Sequence, residues 1–184
     1  MKANYLPKFF IHTVAACALI LTSVTHAHDP ALHGFQMSTF DPPFPAPDFD
    51  LAVLDGDKPA SLETYKGEFV LLNFWATWCP PCLEEMPYIE TAYNKFKDRG
   101  FTVVAISSDE EGESAVAPFI EKLGLTFPVL LDTDKAVSSE YGAHNLPMTF
   151  ILNREGEVIA GAVGERNWSG EEALSVLDEI ITPQ

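Results

Sequence analysis

Cysteine is scarce: the 184 residues hold three, and the five histidines leave only His144 beyond residue 33. A structural zinc takes four ligands, and no second Cys-x-x-Cys or paired His-x3-His is present to complete a set, so a closed metal site is not expected. Basic residues are also few, with 11 Lys and Arg against 27 Asp and Glu and a formal charge of −16. Phosphate binding works through the opposite sign of charge, which argues against nucleic acid as a partner. Long apolar runs are missing too. The longest, Phe9 to Val24, has 16 residues, includes His12 and Thr13, and falls short of the ~20 a spanning helix needs. No internal repeat or low-complexity tract occurs. What remains is ordinary: 47% hydrophobic and 21% charged residues, the composition of a chain that buries a single globular core.

The first 27 residues contain no acid and carry Lys2 and Lys8 ahead of the apolar run, with small residues ending at Ala27. That is the pattern of an export signal, and cleavage after Ala27 is expected, with an uncleaved membrane anchor as the alternative. The exported chain would have 9 basic against 27 acidic residues, a net charge of −18. Cys17 would go with the signal. Lipidation there is not expected, because Ala18, Leu19, Ile20 and Leu21 continue the apolar run. Cys79 and Cys82 then remain as an isolated Cys-Pro-Pro-Cys. A bridge between them closes almost no loop, so it has little structural value. A redox-active dithiol is the use left.

Residues 28–48 include Pro30, Pro42, Pro43, Pro45 and Pro47, which exclude helix or central strand and suggest an extended lead-in to a domain over 49–184. Phe49 to Leu54 with the turn Asp55-Gly56-Asp57 suggests a small N-terminal hairpin. Phe69 to Trp75 is apolar throughout except Asn73, as in a strand covered on both faces. Met86, Ile89, Tyr93 and Phe96 recur at helical spacing until Gly100, predicting a helix over 81–99. Beyond it the pattern predicts strands at 102–107 and 129–131, helices at 113–123 and 136–141, a hairpin from 149–152 and 158–163, and a last helix at 170–181. Strands alternating with helices describe an α/β sandwich of about 140 residues.

A Cys-x-x-Cys between a buried strand and a helix places the first sulfur where unpaired N–H groups and the helix dipole favour an anion. Cys79 is therefore the expected nucleophile, exposed at the junction, and Cys82 the resolving thiol one turn on. Pro81 suits the first helical turn. Trp75 is expected in the core, Trp78 on the active-site surface, and Trp168 as packing. His144 reads as a loop histidine, and Asp109 to Glu113 as a solvated acidic helix entry.

The segment from Asn73 to Cys82 (NFWATWCPPC) resembles the active site of exported thioredoxin-like proteins of the TlpA/ResA type. Ala46-Pro47-Asp48-Phe49, Ser61-Leu62 through Gly67, Phe127 to Asp132, and Leu146-Pro147-Met148-Thr149-Phe150 follow in matching order. The resemblance implies a thioredoxin fold: a central mixed sheet flanked by helices, with an N-terminal hairpin extension and an inserted strand and helix over 102–123. It implies a thiol:disulfide oxidoreductase without cofactor or metal that is periplasmic or otherwise exported. Its partners would be protein disulfides, as in cytochrome c maturation or metal-centre assembly, and a membrane-bound thiol donor. Pro147 matches the family's cis-proline, and with Leu146, Trp78 and Pro80 would border the client site. Glu85 matches an acidic residue that helps proton movement, with a solvated helix carboxylate as the alternative. Asn73 stands where classical thioredoxins carry a buried aspartate. Rival readings are a dithiol oxidase or isomerase on the same fold, and a copper-binding chaperone using both cysteines and a third ligand.

Overall fold

The computed structural model describes residue 32 and residues 35–182. The expected signal segment, its cleavage point at Ala27, the alternative anchor and Cys17 lie outside the described residues. Among those described, no helix is long and apolar enough to cross a membrane.

Eight strands form one mixed sheet: β1 (Ser38–Pro45), β2 (Asp50–Val53), β3 (Ala60–Ser61), β4 (Phe69–Trp75), β5 (Phe101–Ser107), β6 (Val129–Leu131), β7 (Met148–Leu152) and β8 (Glu157–Val163). Their order across the sheet is β1-β8-β7-β4-β5-β6-β2-β3. The helices are α1 (Pro80–Phe96), α2 (Glu113–Leu123), α3 (Ala136–Glu140) and α4 (Glu171–Ile181). β4 lies near the middle, parallel to β5 from Phe69↔Phe101 to Trp75↔Ser107 and antiparallel to β7 from Val70↔Leu152 to Phe74↔Met148.

The near-continuous apolar run of β4 follows from burial on both faces. Leu71 and Trp75 enter one apolar cluster with Met86, Ile89 and Phe96 of α1 and Val176 and Leu177 of α4. Val70, Leu72 and Phe74 enter the other, with Tyr141 and Phe150. Side chains alternate across a strand, so Asn73 falls on the α1 side.

α1 begins at Pro80 rather than residue 81, because Cys79 takes the N-cap position in an extended conformation. It runs into a 3-10 turn at Lys97–Arg99 that ends on Gly100, whose φ of 77° is the left-handed conformation that closes a helix. The expected hairpin forms as β2 and β3, pairing Asp50↔Ser61 and Leu51↔Ala60, and β2 also joins β6. The strand and helix expected as an insert are β5 and α2, with β5 at the sheet's centre.

The proline-rich stretch before residue 49 holds more order than its composition suggests. Ser38–Pro45 is a strand antiparallel to β8, with an irregularity between Thr39 and Phe44. Three prolines fit because β1 is an edge, where an N–H need not enter a ladder. The Asp41–Pro42 peptide within it is cis.

Candidate active site

β4 delivers the chain to its own C-terminal end, where Ala76, Thr77 and Trp78 turn it into α1. The Cys79 N–H closes the turn on the Ala76 carbonyl at 3.2 Å. Cys79 and Cys82 are joined by a disulfide with Cα atoms 5.3 Å apart. The Cys79 Sγ accepts the Cys82 N–H at 3.3 Å, so the first sulfur caps the helix and faces its unpaired N–H groups, which stabilise a thiolate there. Cys79 is less open than its junction position suggests: 5% of it reaches solvent and none of Cys82 does. Both belong to the apolar cluster that contains Trp75, Ala76 and Met86. Cys79 is a small aperture in that surface.

A carboxylate from β5's end braces the turn. Asp109 accepts the Thr77 N–H at 3.0 Å, the Thr77 hydroxyl at 2.6 Å and the Ser107 hydroxyl at 2.7 Å. It is buried, which overturns the expectation of a solvated helix entry for this residue. The acidic run hides its function because its neighbours Glu110 and Glu111 are exposed. The bonds from Thr77, 32 residues earlier, and from Ser107 distinguish Asp109.

Leu146 and Pro147 lie at the same end of the sheet. The peptide between them is cis. Phe74↔Met148 is the last pair of β4 and β7, so Pro147 is one residue beyond the ladder, beside the exit of β4 that leads to Cys79. Its carbonyl accepts the Gly164 N–H at 2.8 Å, tying this loop to the end of β8. Leu146 packs against the cluster holding both cysteines. Trp78 is 62% exposed and Val163, paired with Met148, is 55% exposed. With exposed Pro80, these side chains leave apolar surface on three segments that converge at this end of the sheet. Val163 was not identifiable from sequence, being one of several apolar residues in an ordinary strand.

Glu85 is 1% exposed, which removes the solvated alternative. It lies three residues after Cys82 in α1, and helix positions three apart share a face. Its Oε1 accepts the Trp168 indole N–H at 2.7 Å and the Arg166 backbone N–H at 3.1 Å, and its Oε2 accepts an Asn73 amide N–H at 3.2 Å. The Asn73 amide also donates to the Thr149 hydroxyl at 3.0 Å. Burial outweighs these bonds and the nearby Arg166 charge, and raises the carboxyl's pKa from 4.5 to about 7. Trp168 therefore has a polar role beyond packing. His144 is exposed. Among the described residues no group of three or more His, Cys, Asp and Glu side chains could hold a metal ion.

Two sulfurs three residues apart and joined in a disulfide, a cap that favours an anion and a buried carboxyl suit thiol–disulfide exchange. Comparison with known proteins agrees. The family model described as Redoxin matches residues 44–181. Thiol-disulfide oxidoreductase ResA of Bacillus anthracis is 38% identical over 138 residues, 75% of this chain and 77% of the relative. ResA of Bacillus subtilis is 43% identical over 119 residues, 65% of each chain. A thiol:disulfide interchange protein of the thioredoxin family from Chlorobium tepidum has a TM-score of 0.66 at 30% identity, covering 76% of this chain and 97% of its own. StoA from Bacillus subtilis has a TM-score of 0.60 at 27% identity, covering 72% and 99%.

Proposed function

We propose a reductive role for this chain, which belongs to the Redoxin family and is a thioredoxin-fold thiol:disulfide oxidoreductase. It reduces specific protein disulfides outside the cytoplasm, in cytochrome c maturation or metal-centre assembly. The Cys79 thiolate attacks one sulfur of a client disulfide, forming a mixed disulfide and releasing one client thiolate, which takes up a proton. Cys82 then gives up its proton and attacks the Cys79 sulfur. That step expels the second client thiolate and leaves Cys79 and Cys82 bridged, so the client gains two electrons. Glu85, one turn beyond Cys82, receives the Cys82 proton. A membrane-bound thiol donor restores the dithiol, and the N-terminal segment is an export signal removed after Ala27. Trp78, Pro80, Leu146 and Pro147 border the client, and extended client backbone lies against the Leu146–Pro147 loop.

One observation carries the direction of electron flow: a buried carboxyl on the dithiol's own helix face. Strong oxidants of this chemistry are oxidising because their reduced form is stabilised. Above about pH 7, where Glu85 is ionised, its negative charge opposes a thiolate at Cys82 and so favours the bridged state, which is the property of an electron donor. The test is the reduction potential of the Cys79/Cys82 couple. A value below about −200 mV supports a reductant, whereas one near −120 to −180 mV would assign oxidase or isomerase chemistry. Clients are identified by trapping mixed disulfides on a Cys82→Ser variant in the exported compartment.

A further inference from the structure

The two oxygens of Glu85 have different surroundings. Oε1 accepts two N–H groups, from the Trp168 indole at 2.7 Å and the Arg166 main chain at 3.1 Å. A hydroxyl oxygen of a protonated carboxyl is a poor acceptor and must itself donate, whereas the carbonyl oxygen of the same group accepts well. Oε1 is thus the carbonyl oxygen whenever Glu85 holds a proton. Oε2 faces Asn73, whose side chain is fully buried. The Asn73 Nδ2 donates both to Oε2 and to Thr149 Oγ1, while its Oδ1 is buried with no hydrogen-bond partner among the described residues. This set serves the ionised carboxylate. Against a protonated Oε2 it presents a donor to a donor.

We propose that Trp168 is a positioning residue that assigns the Glu85 proton to Oε2, and that Asn73 answers each protonation state by presenting either its amide N–H or its amide oxygen to that atom. A half-turn of the amide exchanges its two ends. The oxygen then accepts from Oε2–H and from the Thr149 hydroxyl, which is an acceptor in one state and a donor in the other. The idle Oδ1 is the acceptor that the protonated state requires. The indole is held firmly enough for this function. Trp168 is buried, and the Phe35 ring meets it edge-on at 5.0 Å. The backbone donor is fixed as well, because the Arg166 guanidinium donates to the carbonyls of Val163, Gly164 and Gln36 at 3.2, 2.8 and 2.9 Å. Among the described residues Arg166, in the loop after β8, is the charged residue acting on Glu85. Asn73 on β4, Thr149 on β7 and Trp168 before α4 are neutral, and Cys79 and Cys82 titrate only when reduced.

The inference rests on Glu85 as the proton-holding group of the dithiol, and its test is read independently of exchange. In the oxidised protein, carboxyl 13C NMR follows the Glu85 titration. Trp168→Phe keeps a ring and removes the N–H, and should move the Glu85 midpoint upward by about one pH unit or more, because a hydrogen bond to a charged acceptor is lost. An unchanged midpoint overturns the proposal. Should that variant not fold, the wild-type Trp168 Hε1 and Asn73 side-chain amide resonances decide. Both should shift with the Glu85 midpoint, and resonances that stay flat across it overturn the proposal. If Glu85→Gln leaves the pH profile of thiol exchange unaltered while these shifts occur, the proton-transfer role fails and the positioning of Glu85 by Trp168 is upheld.

Discussion

Replacing Glu85 by Gln should stabilise this protein more as the pH rises. In the folded chain the carboxyl holds its proton up to about pH 7, whereas its ordinary value is 4.5. Below about 4.5 both folded and unfolded chains carry the proton, so ionisation costs the folded state nothing. Between the two values the unfolded chain has released the proton and the folded one has not, so stability falls as pH rises. Above about 7 both are ionised and the loss is complete. At about 1.36 kcal/mol per pH unit the gap is worth about 3 kcal/mol. Glutamine has nearly the same shape, can accept the Trp168 and Arg166 N–H groups through its oxygen, and does not titrate. Urea unfolding of oxidised wild type and Glu85→Gln at pH 4.5, 6, 7 and 8 measures the effect, with other titrating groups cancelling in the difference. The variant's stability relative to wild type should increase by about 3 kcal/mol from pH 4.5 to 8. With a slope of about 2 kcal/mol per molar urea, that is a relative change in midpoint of about 1.5 M. A difference that stays constant within about 0.5 kcal/mol across this range, where one pH unit is worth about 1.36 kcal/mol, would refute the claim that burial holds the proton on Glu85.

Three further expectations concern the sulfurs and their surroundings. In the reduced protein iodoacetamide should modify Cys79 before Cys82, since only Cys79 reaches solvent, and mass mapping that finds equal rates would contradict the assigned order of attack. Asp109→Ala leaves two Thr77 donors and the Ser107 hydroxyl without their acceptor. It should cost about 2–4 kcal/mol in urea unfolding, with a smaller loss for Asp109→Asn, and a loss below about 0.5 kcal/mol would show that the turn holds without it. Trp78→Ala should slow reduction of a protein disulfide several-fold while altering reduction of a small aromatic disulfide by less than about twofold, because an exposed aromatic contributes contact area only to a large partner. Equal effects on the two substrates would remove Trp78 from the client surface.

The strand, helix and turn pattern from residue 69 onward was legible because each element carries its own period and its own stop. Phe69 to Trp75, the apolar positions of α1 and the closing Gly100 and Gly124 need no distant partner to be recognised. The Cys-x-x-Cys site was legible for the same reason, since its chemistry depends on the junction it occupies. β1 was not, because prolines signal what a segment cannot be, and the edge of β8 that accepts it is formed more than a hundred residues later. Nor was the fate of the carboxylates. Glu84 and Glu85 are adjacent and chemically identical, yet the first is exposed and the second buried. What separates them is donors from Asn73, Arg166 and Trp168, which only the folded chain brings together. Asp109 is the same case: within an acidic run it differs through its bonds from Thr77 and Ser107.

The two margins of the sheet determine how this protein meets its own copies. A strand edge left open is a template on which another chain can extend the ladder, and concentrated β-proteins fail by that route. Here one margin is β1, where Pro42, Pro43 and Pro45 remove three N–H donors from eight residues. The other ends in β3, only two residues long. An approaching strand finds an interrupted row on one side and almost no row on the other. Aggregation through sheet extension is thus discouraged at both ends of the sheet.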